Sequence, residues 1–188
     1  MSKPVAALGG AKAKGTVIAI EEAAPQGQMT LKGDIGGSAI AALMVEITGT
    51  TVPGKLGVTA KGDTRTVWMA PDELLVIMAR DKVGGAVERA GEVLAQSHHM
   101  ALDVSDTRAV FRLKGALVGE VLAKGVPCDT SDRGFPVGTA RRTHLGGQSV
   151  GIWRTGVEDW ELVCFRSFAH HIFAWLEHAA REGAEVGL

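Results

Sequence analysis

The apolar residues of the first half follow two periods, which predict strands and helices in alternation. Between residues 38 and 49 they fall at the positions i, i+3, i+4 and i+7 of one helical face, with Ser38 expected to cap the helix and Gly49 to end it. Those four residues are Ile40, Leu43, Met44 and Ile47. The other predicted elements are strands at 28–32, on both sides of a turn at 70–73, and at 99–104, and a helix at 83–96. This is the β-α-β-β-α-β order of a ferredoxin-like fold, with Leu74 to Ala79 expected to be a central strand buried on both faces.

The second half repeats much of this order. Ala109, Phe111 and Leu113 alternate with Arg108 and Arg112, which is typical of a half-buried strand. The further predictions are a helix at 116–124, strands at 139–145, 149–154 and 160–165, and a long helix capped by Ser167 with an apolar stripe of Phe168, Ile172, Trp175 and Ala179. No strand follows that last helix, so we expect the second sheet either to borrow an edge from the first or to leave one open.

These patterns predict an α+β chain of two related ferredoxin-like β-α-β-β-α modules with antiparallel or mixed sheets. We expect a first module at 16–105 and a second at 106–188, packed closely on the first. Residues 1–15 are rich in Gly, Ala and Lys and have no periodicity, which favours a flexible tail or an arm that orders on a partner.

Composition and charge exclude several classes of function. The chain has 188 residues, 46% of them hydrophobic, and 20 basic against 21 acidic side chains, so binding of nucleic acid or anionic membrane through bulk charge is not expected. The longest apolar run, 39–45, is too short to span a bilayer, and the N-terminal residues lack the apolar stretch of a signal peptide. We therefore predict a cytoplasmic protein.

The motifs of common catalytic and metal sites are missing from the sequence. It contains no G-x-S-x-G, no Ser-Lys signature and no glycine-rich phosphate loop. Cys128 and Cys164 are expected to be reduced thiols, and the six histidines lack the spacing of a zinc site. We expect no catalytic residue, no bound cofactor and no metal on this chain.

Arginine and tryptophan are concentrated in the second half, where eight of the nine aromatic residues also lie. Such residues form a solvated sheet face or ion pairs within the chain, or they recognise carboxylates and apolar surface on a partner. As the partner interface we name Arg141, Arg142, Trp153, Arg154 and Arg166, all on or next to predicted strands.

Four segments, in order, resemble a known family. They read WMAPDELLVI, LDVSDTRAVFRLKG, GVPCDTSDRGFPVGTARRTHL and VGIWRTGVEDWELVCFRSFAHHIFAWL. Together they cover about residues 65–178 and resemble the gamma subunits of heterotetrameric sarcosine oxidases. The stretch 103–176 is the most specific part, and residues 1–27 carry none of the resemblance.

This resemblance implies a structural subunit of a flavoenzyme that oxidatively demethylates sarcosine to glycine, passes the one-carbon unit to tetrahydrofolate and releases hydrogen peroxide. It implies alpha, beta and delta subunits as partners, mainly alpha. FAD, FMN and NAD are implied for the large subunits and zinc for delta. The implied fold is similar to the folate-binding domain of aminomethyltransferases.

The resemblance also directs attention to Asp129. Aminomethyltransferases carry a catalytic aspartate after the helix that corresponds to 116–124, and Cys128-Asp129 stands at that place in this sequence. Asp129 is either a remnant folate contact or a structural turn residue. Two alternative functions stay open at this point: a free-standing folate-binding one-carbon-transfer protein, and the equivalent subunit of an N-methyl amino-acid dehydrogenase.

Overall fold

The computed structural model describes residues 4–184, which form two compact units. The first unit comprises residues 26–105; the second comprises the described parts of 1–25 and 106–188. In chain order the elements are β1 (Ala19–Glu22), β2 (Gly27–Lys32), α1 (Ser38–Thr48), β3 (Val58–Lys61), β4 (Thr64–Ala70), β5 (Glu73–Met78), α2 (Val83–Val93), β6 (Met100–Asp103), β7 (Arg108–Lys114), α3 (Val118–Ala123), β8 (Ala140–Leu145), β9 (Gln148–Arg154), β10 (Asp159–Phe165), a 3₁₀ turn (Arg166–Phe168) and α4 (Ala169–Ala179).

The first unit is an antiparallel sheet in the order β3-β4-β5-β2-β6, with α1 and α2 packed on one face. Every residue of β5 is buried, which confirms the predicted central strand. The sequence pattern missed β3, so the order is β-α-β-β-β-α-β. Only Val58 in its Val-Thr-Ala-Lys is strongly apolar, and no alternation marks it as a strand.

The predicted cap of α1 is wrong, while its predicted end is confirmed. The helix begins at Ser38, and its N-cap is Gly37, with no side-chain capping bond. A tight turn explains the glycine: Gly37 N–H donates to the Asp34 carbonyl, and a Cβ on Gly37 would lie 2.8 Å from the Asp34 carboxylate. Gly49 ends the helix in the left-handed conformation at φ 70°.

The second unit is an antiparallel sheet in the order β1-β7-β10-β9-β8. Its core lies between this sheet and α3 and α4, and includes Phe111, Phe135 and Ile172. Strand β1 pairs with β7 along its whole length, so the sheet borrows its edge from the N-terminal segment. The predicted module boundary at residue 16 is therefore corrected, because residues 16–25 belong with 106–184.

The start of α4 also differs from the prediction. Ser167 lies inside the 3₁₀ turn, and the residue before α4 is Phe168, which is partly exposed and not on the core stripe. The chain leaves β10 through this turn because the Arg166 N–H still bonds to the Thr107 carbonyl at 2.8 Å. That bond continues the β10–β7 pairing beyond the strand and delays the helix.

Residues 4–15 belong to the second unit and are held within it, which corrects the prediction of a flexible tail for this part. The Glu22 carboxylate is buried and accepts the backbone N–H of Leu8 at 2.9 Å and of Gly10 at 2.9 Å. Residues 11–13 run beside β1, and Lys12 forms an antiparallel β-bridge with Glu21. A buried acceptor that needs donors thus holds a segment whose own sequence carries no periodicity. Residues 1–3 of the predicted tail lie outside the described residues.

Candidate partner interface

Trp153 is fully buried, so its prediction as a partner contact is corrected. The side chain has 0% exposure, and its indole Nε1 donates to the Glu161 carboxylate at 2.7 Å on the neighbouring strand β10. Glu161 is itself 6% exposed. A buried carboxylate requires such a donor, so this pair stabilises the second unit from within.

Arg154 is also committed to the interior of the chain. Only 5% of it is exposed, and the guanidinium donates to the carbonyls of Phe135, Gly156 and Val157. It pairs with the Asp132 carboxylate at 2.7 Å and lies 5.0 Å from the centre of the Trp160 ring. These bonds hold two loops together, so the expectation of a direct partner contact is corrected here too.

Arg141 and Arg142 lie next to each other on β8 but have different surroundings. Arg141 is half-buried, lies 4.9 Å over the Phe135 ring and donates to the carbonyls of Gly134 and Ala140. Arg142, on the opposite face of the strand, is exposed. Arg141 thus orders the loop before β8, and Arg142 is the exposed cation of the two.

Arg166 lies in an apolar patch that the sequence did not indicate. Its Nη2 donates to the carbonyl of Val5 at 3.0 Å and of Ala6 at 3.4 Å, which fixes the N-terminal segment beside the 3₁₀ turn. The flanking Phe165 is 50% exposed, Phe168 37% and Val5 65%. We call Val5, Phe165, Arg166 and Phe168 the Arg166 patch. The alternation of inward and outward side chains along β10 continues to Phe165 and places its ring on the outer face of the sheet. In the sequence, only this alternation could have indicated that Phe165 is exposed.

Asp129 lines a cavity of about 420 Å³ beside α3. Its Oδ1 accepts the Ser131 N–H at 2.9 Å, and hydrogen bonds from Ser131 lower the pKa of this exposed carboxyl. Gly134 makes room for it, since a Cβ there would be 2.2 Å from the Asp129 carboxyl carbon. Asp129 therefore has the turn role that the sequence predicted as one of two possibilities.

The lining of this cavity is acidic. Glu120, Asp129 and Asp132 contribute carboxylates, and Arg154, which also lines the cavity, is already paired with Asp132. Cys128 also lines it, and burial raises the pKa of its thiol. The arrangement disfavours a ligand with several negative charges, and the raised pKa makes the Cys128 thiol a weaker nucleophile at neutral pH.

Residues 4–184 contain neither a metal-binding cluster nor a helix suited to a membrane. In residues 4–184, no three His, Cys, Asp or Glu side chains form a group that could hold a metal ion. Over the same residues, no helix combines the length and the apolar character needed to cross a membrane. Both cysteines are free thiols, as predicted.

Comparison with known proteins identifies clear relatives. The model of the family described as "Sarcosine oxidase, gamma subunit family" matches residues 32–182. The chain is 33% identical over 174 residues to the sarcosine oxidase subunit gamma of Corynebacterium sp. (strain U-96), covering 90% of this chain and 83% of that one. It is 32% identical over 163 residues to the subunit gamma from Arthrobacter sp, covering 84% and 76%.

Solved structures agree with these relatives. A chain of the heterotetrameric sarcosine oxidase from Corynebacterium sp. U-96, in complex with pyrrole 2-carboxylate, superposes with a TM-score of 0.80 at 28% identity, covering 94% of this chain and 91% of that chain. Aminomethyltransferase T of the glycine cleavage system from Bartonella henselae superposes with a TM-score of 0.56 at 10% identity, covering 82% and 44%. The second likeness shows a shared fold and confirms the predicted fold class.

Proposed function

Because the chain belongs to the sarcosine oxidase gamma subunit family, we propose that it is the structural gamma subunit of a heterotetrameric sarcosine oxidase. In that complex sarcosine is oxidatively demethylated to glycine, the one-carbon unit passes to tetrahydrofolate, and hydrogen peroxide is released. The observation that supports a docking role is the Arg166 patch, where two half-exposed phenylalanines flank an ordered arginine.

The Arg166 patch has the composition of a binding hot spot. Aromatic side chains and arginine are enriched among the residues that contribute most of the binding free energy of an interface. Exposure of a phenylalanine side chain to water also costs free energy that binding can recover. The guanidinium is already held by two backbone carbonyls, so it loses little conformational freedom on binding. We propose that this patch, with exposed Arg142 as a second contact, meets the partner.

In such a complex the chemistry lies on other chains. We propose alpha, beta and delta subunits as partners, with alpha as the main one. FAD, FMN, NAD and zinc are proposed to lie on those chains, and tetrahydrofolate to be bound outside this one. The cytoplasmic location remains a prediction from the sequence.

Co-expression tests this function. The remaining subunits are produced with and without this chain, and their yield, thermal stability and sarcosine oxidation are compared. We expect the chain to co-purify with them and to raise all three quantities. Separate elution and unchanged stability and activity would contradict the proposal.

A second candidate is favoured by one observation: Asp129 lines a cavity, as a folate contact would require. A free-standing one-carbon-transfer protein would then use Asp129 to contact folate. The acidic lining of the cavity argues against this function, because the glutamate tail of folates is anionic. Calorimetry with tetrahydrofolate decides between the two. Micromolar binding by the isolated chain that is lost in Asp129→Ala would favour this candidate over the structural subunit.

A further inference from the structure

The sheets of the two units match strand by strand. In the first unit the order is β3-β4-β5-β2-β6, and in the second it is β8-β9-β10-β7-β1. Strand β6 therefore corresponds to β1, since each pairs antiparallel with the strand next to the central one. In this match Asp103 corresponds to Glu22: their partners, Met29 and Phe111, are both buried core residues.

The outer edge of β1 is covered by an extended segment of the same chain. Ala13 N–H donates to the Ile20 carbonyl at 3.0 Å, and Glu22 N–H donates to the Ala11 carbonyl at 2.8 Å. Between these bonds Lys12 and Glu21 form an ion pair at 3.0 Å. Residues 11–13 thus act as a short sixth strand of the second unit.

The outer edge of β6 has no such cover among residues 4–184. Val104 N–H bonds to the Gln28 carbonyl, and in an antiparallel pair alternate residues bond to the same neighbour. Met100 and Leu102 therefore bond to β2, while the backbone groups of Ala101 and Asp103 point away from the sheet. The side chains of Met100 and Leu102 are 40% and 52% exposed.

The edge strands β3 and β8 carry basic side chains, which protect an edge from pairing, whereas β6 carries none. Strand β3 ends in Lys61, and β8 carries Arg141 and Arg142. Basic side chains on an edge discourage a further strand. The sequence of β6 is Met-Ala-Leu-Asp, without a basic residue.

We propose that β6 receives an extended segment of a partner subunit, which adds a sixth strand to the sheet of the first unit. The segment pairs with the backbone of Ala101 and Asp103 and covers Met100 and Leu102 with apolar side chains. This inference rests on the proposed function, since it names the surface through which the subunit is held.

A pair of proline substitutions on the two edges of one sheet tests the proposal. Ala101→Pro removes an outward N–H and blocks strand addition, yet an edge strand tolerates it because that N–H is not used within the sheet. Ala60→Pro is the matched control on β3. Lys61 and Thr64 close a two-residue hairpin and Trp68 N–H bonds to the Gly57 carbonyl, so Ala60 N–H also points outward.

Each variant is co-expressed with the remaining subunits, and affinity for them is measured after purification. We expect Ala101→Pro to weaken assembly by about tenfold or more, while Ala60→Pro leaves it unchanged. Equal affinity of both variants and the wild type overturns the proposal. So does self-association of the isolated chain that Ala101→Pro abolishes while assembly is unaffected, because the occupant is then a second copy. If the wild type itself does not assemble, the proposed function fails together with this inference.

Hydrogen exchange provides a measurement that needs no variant. The amides of Ala101 and Asp103 should exchange fast in the isolated chain and at least about tenfold more slowly in the complex, as hydrogen-bonded amides do. The amide of Ala60 should exchange equally in both. Fast exchange at Ala101 and Asp103 within the complex overturns the proposal.

Discussion

The indole ring of Trp175 lies directly against Gly125: a Cβ at residue 125 would be 2.3 Å from Cζ2 of the ring. On another side of the ring, a Cβ at Gly146 would be 2.8 Å from Cδ1. Two glycines, one just after α3 and one in the β8–β9 turn, thus leave the space in which this side chain of α4 packs. The packing links helix and sheet in the second unit.

Gly125→Ala is expected to lower the free energy of unfolding by about 2–3 kcal/mol, the cost of forcing an extra methyl group into a packed site. The ring cannot move aside easily because Gly146 lies close to it. Chemical denaturation followed by circular dichroism measures the effect. Unchanged stability would show that the ring does not occupy this site.

Gly84→Ala is the matched control and should have the opposite sign. Gly84 lies on the exposed side of α2, with no atom within 4 Å of a built Cβ. Alanine restricts the unfolded chain and favours the helix, so a gain of about 0.5–1 kcal/mol is expected. A decrease in the stability of Gly84→Ala would contradict either the helical conformation of Gly84 or its exposure to solvent.

Glu22→Ala should release the N-terminal segment. It removes the acceptor of the Leu8 and Gly10 N–H groups, which costs about 1–3 kcal/mol of stability. Trypsin should then cut after Lys12 and Lys14 faster than in the wild type. Glu21→Ala, which removes a partly exposed ion pair, should cost less than about 1 kcal/mol. Equal effects of the two variants would contradict the holding role of Glu22.

The two thiols should differ in reactivity. Burial, and then the Glu22 carboxylate, raise the pKa of Cys164 to about 12, and burial raises the pKa of half-buried Cys128. Ellman's reagent at pH 8 should therefore modify at most one thiol of the native chain, slowly, and two after unfolding. Cys128→Ser should abolish the native reaction. Rapid modification of two thiols would contradict the burial of Cys164.

The free energy of unfolding should fall as the pH rises above 9, because Cys164 is buried in the folded chain. The unfolded thiol ionises near its ordinary pKa of 9.0, whereas folded Cys164 keeps its proton to about pH 12. The contribution of protonated Cys164 to the free energy of unfolding is therefore complete below pH 9 and is lost as the pH rises towards 12. Cys164→Ala should show a smaller decline across that interval, measured by denaturation at each pH.

Arg166→Ala should weaken assembly with the remaining subunits by about tenfold, because the Val5 and Ala6 carbonyls lose their donor and the Arg166 patch loses its order. Arg133→Ala, an exposed arginine of the same unit, is the control and should have no effect. Affinity is measured on purified subunits. Equal affinities of the two variants would count against the patch.

Phe165→Ser should weaken assembly to a similar degree, since it removes half-exposed aromatic surface. Val157→Ser is the control, because Val157 is 73% exposed and lies outside the patch. Surface serine should leave folding intact in both variants, which thermal unfolding confirms. A loss in the control alone would place the interface elsewhere.

Much of the fold could be predicted because its patterns are local. The alternation in β7 and the unbroken apolar run of β5 correctly indicated a half-buried and a central strand. The place of β1 at the edge of the second sheet could not be predicted in this way. Its register with β7 is a contact between residues about 90 positions apart, and the sequence left open whether the sheet borrows an edge.

The candidate interface was less predictable, since exposure depends on tertiary packing. Trp153 and Arg154 have the composition of a hot spot, but Glu161 and the carbonyls of two loops bind them inside the chain. Conversely, Phe168 fits a helical stripe in the sequence, yet the 3₁₀ turn moves it out of the core. Composition thus indicated where arginine and aromatic residues are concentrated but not which of those side chains face outward.

This chain is proposed to be a stoichiometric subunit of a sarcosine-oxidising complex. Native mass spectrometry of the complex captured through a tag on this chain tests it most directly. One copy of this chain with three other subunits, in a complex that oxidises sarcosine, is the predicted result. A chain recovered alone, with sarcosine oxidation retained by a complex that lacks it, would contradict the account.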